Sequence, residues 1–561
     1  MTILIKKRKN GHDYYYATKS GRVNGKPRVI WQKYLGRADE VVARLAGESN
    51  DEPDESICLD FGGPAALLAI AESFDLKGII DAKIPKRDQG PSVGEFILLA
   101  AINRILAPTS KNQMGDWYQN TVLRRLWGFK EELFSAQNFW NHMDLIGEEE
   151  IRAVETELCK RVVERFKLDW TSLIYDTTNF FTFIDSTNDR CSLAQRGHSK
   201  AKRHDLRQVG LALVVARGSQ IPLFHEVYQG NLNDITQFRS TCVALAERYK
   251  TLAPTGSDLT VVFDKGNNSE ENLLLARLSN MHFVGSLKPS NHADLLAIPL
   301  SKFEELKDSR WPGLRTYRTR CDALGEERTV VITFSETFYS QQLNGWATQL
   351  AKATKQLEAL SKDLCKEGSR RTKESIDCAA RAIIQQQPLR DAIKFEITQT
   401  GKQYSLTYHT DLEIFQDYVN RRGGKTILAT DHHDWSTSGI VAGYRSQAEI
   451  EQVFRTMKTD GHMDWQPMFH WTDSKIRVHG LYCVLGFFLL SVLKQRLSDA
   501  GHKLSFDNLL DALSSMQETE IVYHTGEQGR PATKTVYTRL NPLQKEISEL
   551  LDLSRFKHKK K

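Results

Sequence analysis

Leu173-Ile-Tyr-Asp-Thr-Thr-Asn-Phe-Phe-Thr-Phe183 is a run of apolar, β-branched and aromatic residues broken by one acid, Asp176. Such a run reads as a buried strand, and an unpaired carboxylate inside one is costly. Asp176 therefore lies at a strand end, is paired, or binds a cation. Two further strand signals follow, Val209-Gly-Leu-Ala-Leu-Val-Val215 and Ile221 to Tyr228, joined by the turn Arg217-Gly-Ser-Gln220. A fourth, Leu259-Thr-Val-Val-Phe263, ends in a second acid, Asp264, and leads through a predicted helix from Glu270 to Leu278 into a fifth, Phe283-Val-Gly-Ser-Leu287. A meander of strands followed by strand, helix and strand predicts an α/β mixed sheet flanked by helices.

A third acid comes from Tyr444-Arg-Ser-Gln-Ala-Glu-Ile-Glu-Gln-Val-Phe-Arg-Thr-Met-Lys458. Read as one helix, this segment puts Ile450, Val453, Phe454 and Met457 in a core-facing stripe. At about 100° per residue, Tyr444, Glu451, Arg455 and Lys458 share a neighbouring face. A carboxylate there could hold a metal, and the guanidinium and ammonium could hold phosphates. Taken alone, the same edge is more often the solvated flank of an amphipathic helix. Two acids on adjacent strands and a third on a later helix shift that balance, because like charges held close repel unless a divalent cation neutralises them. Glu449 is a rival third acid, on the opposite side of the helix from Lys458.

At 561 residues the chain is long enough for several cores, and its 40% hydrophobic and 26% charged content is that of a soluble globular protein. Met1 leads into Lys6-Lys7-Arg8-Lys9 without the apolar core of a signal peptide. The most apolar segment, Leu481 to Leu493, is shorter than the ~20 residues of a membrane span and reads as a buried helix. Eight cysteines form no CxxC pair, so neither zinc nor disulfides are suggested and a reducing cytoplasm fits. His432-His433 near Asp434 reads as a solvated turn. Net charge is +6, but residues 1 to 50 hold eleven Lys and Arg against four Asp and Glu, so the rest of the chain sums to about −1. That asymmetry fits a polyanion partner at the N-terminus, and fits a basic solvated terminus equally well.

Around this core the pattern is coarser. Residues 13 to 35 alternate aromatic and basic residues and predict two strands turning near Val23-Asn24-Gly25-Lys26. Helical periods run over Ala65–Phe74, Val93–Ile105, Gln113–Leu126 and Glu148–Arg165. Leu343, Leu350, Leu357 and Leu364 recur every seventh residue, with Trp346, Ala353 and Leu360 between them, predicting a long helix paired with one near Ser375–Gln386. The Arg196–Arg207 stretch carries five Lys and Arg, enough to track a DNA backbone or to make a basic loop.

Taken together, Tyr175-Asp176-Thr-Thr-Asn179, Arg196-Gly-His-Ser-Lys200, Arg203-His-Asp-Leu-Arg-Gln208, Gly230-Asn231 with Asp234, Phe263-Asp264-Lys-Gly266 and the Tyr444–Lys458 segment resemble a known family. It is the DDE transposases of bacterial insertion sequences, in the class with a tyrosine-arginine-glutamate-lysine signature and a β-rich insertion before the glutamate. The tyrosine matches Tyr444, the glutamate Glu451 and the lysine Lys458; the family's arginine position holds Gln447. Arg445 or Arg455 carries the same planar fork.

The resemblance implies a ribonuclease-H-like core in which Asp176, Asp264 and Glu451 hold two Mg²⁺, with Mn²⁺ able to substitute. It implies cleavage of phosphodiesters at inverted-repeat ends and joining of the freed 3′-hydroxyls to target DNA. Tyr444, Arg445, Arg455, Lys458, Lys200 and Arg203 would contact DNA or phosphate. The partner would be double-stranded DNA, element ends and target, engaged by a homodimer in the bacterial cytoplasm, with no membrane and no small-molecule substrate. The expected organisation is a basic β-hairpin module over 1–50, a helical DNA-binding domain over 57–166, core segments over 167–300 and 431–500, a β-rich insertion with a long helical hairpin over 301–430, and a C-terminal region with a basic tail over 501–561. A catalytically degenerate DNA-binding protein and a nuclease of the same fold that cuts without joining are the alternatives.

Overall fold

The computed structural model describes the chain except residues 1, 24–25, 47–52, 87–88, 167–171, 186, 198–202, 253–258, 265, 267–268, 367–370, 402, 460, 524–531 and 559–561. At the N-terminus, β1 (Thr2–Lys9), β2 (His12–Val23) and β3 (Lys26–Arg37) form an antiparallel sheet in the order β1-β2-β3. The predicted hairpin is thus the inner and outer pair of a three-stranded sheet, with Lys6 of the added strand bonded to Asp13 at 2.8 Å. Trp31 and Tyr34 stay exposed on β3.

β4 (Glu55–Asp60) opens a helical region. Helix Val93–Leu106 begins with a capping box, in which Glu95 N–H donates to Ser92 Oγ at 3.2 Å and Ser92 N–H to Glu95 Oε2 at 2.7 Å. Helix Glu148–Arg165 carries three acids in its first turn and Arg165 in its last, which complements the helix dipole. The expected helix over Gln113–Leu126 is instead two short helices, Met114–Gln119 and Leu123–Trp127.

The central sheet starts with β5 (Ser172–Thr182), β6 (Arg207–Ala216) and β7 (Pro222–Gln229), an antiparallel meander, then adds β8 (Leu259–Phe263) and β9 (Met281–Ser286) parallel to β5. β10 (Glu304–Glu305), β11 (Arg315–Ala323) and β12 (Glu326–Phe334) extend it, while β13 (Ile393–Thr400) and β14 (Gln403–Thr410) pair only with each other and β15 (Lys425–Thr430) returns to it. The nine-stranded order is β10-β11-β12-β15-β9-β8-β5-β6-β7. Four strands of the 301–430 segment therefore continue the sheet, and only its helices and the β13–β14 hairpin stand apart. There Leu357, Leu360 and Leu364 of helix Glu336–Leu364 bury against Ile376 and Ala380 of helix Lys373–Ile383, so the leucine seam is filled within the chain.

Helix Asp473–Asp499 is 27 residues long. By length and composition it could cross a membrane, but it lies buried inside the protein, packed on helices Val93–Leu106 and Gly62–Ser73 and on β7. Two glycines allow that approach: a Cβ on Gly480 would stand 2.6 Å from Val227 Cγ2, and one on Gly486 2.9 Å from the Ala101 carbonyl oxygen. Each Leu or Phe it buries contributes about 1.5–3 kcal/mol. β16 (Gln517–Tyr523) and β17 (Ala532–Tyr537) complete a small sheet, ordered β17-β16-β4. The C-terminal region is thereby stitched to the start of the helical region, with Glu518 receiving Arg125 at 2.9 and 2.6 Å.

Candidate active site

The register of the parallel strands builds the site. Ile174 lies opposite Val262 and Val262 opposite Val284. Two residues further along each strand, on the same face, come Asp176, Asp264 and Ser286. They stand level in a row, on neighbouring strands about 4.8 Å apart. Rings mark the other face, where Tyr175 and Phe263 pack on Phe238 at 5.1 and 4.7 Å. On the site's own face, Val262 and Val284 pack under Ile440 and Val441 of helix Thr437–Arg445. Row and helix thus meet at the carboxyl ends of parallel strands, where open α/β sheets bind ligands.

The segment read as one helix is two. Helix Thr437–Arg445 ends at Ser446, whose hydroxyl donates to the Gly443 carbonyl at 2.6 Å, and helix Gln447–Thr456 starts after it. The local bond competes with helix continuation. The predicted apolar stripe holds, since Ile450, Val453, Phe454 and Met457 are all buried and the second helix packs on β5. The break changes what Tyr444 does. Its phenol reaches down from the first helix to Asp264 Oδ1 at 3.3 Å and Ser286 Oγ at 3.1 Å, while Ser286 Oγ lies 3.2 Å from Asp264 Oδ1. Two hydroxyl protons serve the three edges of this triangle. Burial pushes the Tyr444 phenol up to about 12, opposed next by the Ser286 hydrogen bond and helped less by the charges of Asp264 and Glu451. The phenol therefore stays a neutral donor, and Glu451 lies near enough for its charge to be felt there.

Asp176 is half-buried, with Oδ1 accepting the Thr177 N–H at 2.8 Å. Lys458 falls just beyond its helix, donates to the Thr178 hydroxyl and stands 5.3 Å from the Phe180 ring centroid. Thr178 and Phe180 follow Asp176 on the same face, so the ammonium lies further along the strand that carries Asp176. Trp465 stacks on Phe180 at 4.3 Å and braces this wall. Glu449 looks elsewhere: its Oε2 accepts the Gly218 N–H at 2.7 Å, tying the helix to the β6–β7 turn, and burial pushes its carboxyl up.

The remaining predicted residues scatter. Arg455 is exposed on the second helix. Arg445 lies over Trp311 at 5.3 Å. Arg203 is exposed and paired with Asp205 at 2.7 Å, which holds that carboxyl down to about 2. Lys200 lies outside the described residues. Gln447 is 6% exposed, and its Nε2 is buried without a hydrogen-bond partner among the described residues. Ser286 was legible as a strand residue but was not singled out; the signal was the same two-residue step that carries Asp264.

Among the described residues, the group of His, Cys, Asp and Glu whose ligand atoms all fall within 4.8 Å of one another is His282, Asp431 and His432. Asp176, Asp264 and Glu451 do not form such a group. His432, expected in a solvated turn, stacks on Trp435 at 4.1 Å and meets the Thr260 hydroxyl at 2.7 Å.

No known family model matches the chain, and no curated protein matches it in sequence. Among solved structures it is similar to a piggyBac transposase seen by cryo-EM in a synaptic complex with hairpin DNA, with a TM-score of 0.34 and 9% identity over 80% of this chain and 79% of that one. The functional reading rests on the chain's own residues.

Proposed function

We propose that this chain is a DNA transposase of the DDE type, which cleaves phosphodiesters at inverted-repeat ends and joins the 3′-hydroxyl ends to target DNA. The observation that supports the reading is the level pair Asp176 and Asp264 at the ends of neighbouring strands, with the Tyr444 phenol bonded to Asp264. The strand order β7-β6-β5-β8-β9, a meander followed by two parallel strands, supports taking the core as ribonuclease-H-like. The donors are all oxygen, which suits Mg²⁺, or Mn²⁺ in its place, better than a softer ion. Asp176, Asp264 and Glu451 would hold two such ions, which when bound activate a water or 3′-hydroxyl and stabilise the leaving oxygen. The neutral Tyr444 phenol and Ser286 orient the Asp264 carboxylate. Lys458 offers its ammonium to a phosphate at the lip of the row, with Arg455 on the same helix. The exposed basic β1–β3 sheet suits the DNA backbone. A homodimer acting in the bacterial cytoplasm pairs the two ends.

The test is Mg²⁺-dependent cleavage and joining of DNA carrying the gene's own flanking ends, with Asp264→Asn as control. Cleavage and joining lost in the variant, with DNA binding kept, is the expected result. Binding without cutting by the wild type would overturn the reading in favour of a degenerate DNA-binding protein, which the unpartnered Gln447 amide at the family's arginine position favours. Cutting without joining would leave a nuclease.

A further inference from the structure

We propose that His282, Asp431 and His432 form a second metal site, for a first-row transition ion such as Zn²⁺, at the end of the sheet opposite the carboxylate row. His282 is near the start of β9, and Asp431 and His432 directly follow β15, the strand paired antiparallel to β9. Thr260, which meets His432, precedes Asp264 by four residues on β8. The two sites are therefore roughly 13 Å apart along that strand.

The donors are held in place before any ion arrives. Asp431 Oδ1 accepts the Phe283 N–H at 3.0 Å, leaving Oδ2 3.0 Å from His282 Nδ1. The loop is set by Thr430, whose hydroxyl donates to the Phe283 carbonyl at 2.6 Å and accepts the His432 N–H at 3.1 Å. The His432 ring lies between His282, at 4.3 Å, and Trp435. The Thr260 hydroxyl on its Nε2 is the kind of outer partner that orients a metal-bound imidazole. His282 and Asp431 are partly exposed, so an ion can enter.

A simple His–Asp ion pair explains less. It needs one imidazolium and does not account for the closeness of the His432 ring to His282. The Arg318 guanidinium, donating to the carbonyls of His433 and Trp435 at 2.9 and 2.7 Å, already brings a positive charge to this loop. Two imidazoles and one carboxylate suit Zn²⁺, Co²⁺, Ni²⁺ or Fe²⁺ rather than Mg²⁺. A bound ion would clamp the start of β9 to the loop that launches helix Thr437–Arg445. It would thereby steady the element that carries Tyr444, which is a structural role.

The experiment uses the full-length protein, stripped with a chelator and titrated with Co²⁺ and then Zn²⁺, free of DNA and Mg²⁺. Expected are one equivalent of Co²⁺ per chain, with visible absorption displaced by Zn²⁺, and a Zn²⁺-dependent rise in Tm. His282→Gln and His432→Gln should each lose both signals while keeping the wild-type circular dichroism, and Asp264→Asn should keep both. No stoichiometric binding by the wild type, or binding that persists in both histidine variants, overturns the proposal. The outcome is independent of whether the chain cuts DNA.

Discussion

The two ends of β8 and β9 differ in chemistry although they belong to the same strands. At the carboxyl ends stand Asp264 and Ser286, level with Asp176 and capped by the Tyr444 phenol. At the amino ends stand Thr260 and His282, met by Asp431 and His432 from the far side of the insertion. One end is all oxygen and suits hard ions and phosphates; the other is rich in nitrogen and suits borderline ions. What differs is which elements face each end. Helix Gln447–Thr456, which carries Glu451, packs on β5, whereas Asp431 and His432 both come from the loop after β15. Under the two proposals above, a single sheet would separate a reactive edge from a bracing edge.

The largest effect that would test this division is at the oxygen end. Asp176→Asn, Asp264→Asn or Glu451→Gln should each lower the DNA cleavage rate by about 10³-fold or more while end binding in gel-shift assays persists. Cleavage by Asp264→Asn at near wild-type rate would end the assignment. Lys458→Ala should cost roughly 10- to 100-fold in cleavage, the range of a hydrogen bond to a charged group, and should reduce the salt slope of DNA binding by about 1. A loss in Lys458→Ala that is independent of salt would place that ammonium in a purely structural role.

Smaller effects sharpen the contrast between neighbouring acids. Glu449→Ala should cost about 0.5–1.5 kcal/mol of stability in urea unfolding, because it removes the bond to the exposed Gly218 N–H, yet leave cleavage within about threefold of wild type once folded. If Glu449→Ala abolished cleavage and Glu451→Gln did not, the two roles would be exchanged. The smallest expected effect is at the nitrogen end. Adding excess chelator to the Co²⁺-loaded protein should remove the ion and its visible absorption. Tm should fall by a few degrees, since about 1 kcal/mol shifts a domain of this size class by roughly 2–4 °C. Absorption that is the same in wild type and His432→Gln before the chelator is added would place the ion elsewhere.

Much of the frame was legible in local pattern. β8 and helix Glu270–Leu278 have the bounds that their apolar runs and caps predict, and the stripe Ile450, Val453, Phe454, Met457 is buried as its spacing requires. The oddity of an acid inside an apolar strand drew attention to Asp176 before any neighbour was known. The break at Ser446 was not legible, because Ser446 is a tolerable helix residue until its hydroxyl takes the Gly443 carbonyl. The third strand of the N-terminal sheet was missed because Lys6 to Lys9 read as a charge run, although alternation on an exposed strand allows it.

By itself, then, the sequence determined the core strands β5 to β9, the apolar faces of the helices that cover them, and which acids sit where a carboxylate is costly. These follow from periodicity and side-chain chemistry within a few residues. Only the tertiary structure decided that Asp176, Asp264 and Ser286 stand in one row, that Glu449 faces a turn while Glu451 is felt at Tyr444, and that His282 meets Asp431 across 149 residues of chain. Strand register and helix docking are set by burial summed over the whole core, and no local window contains that sum.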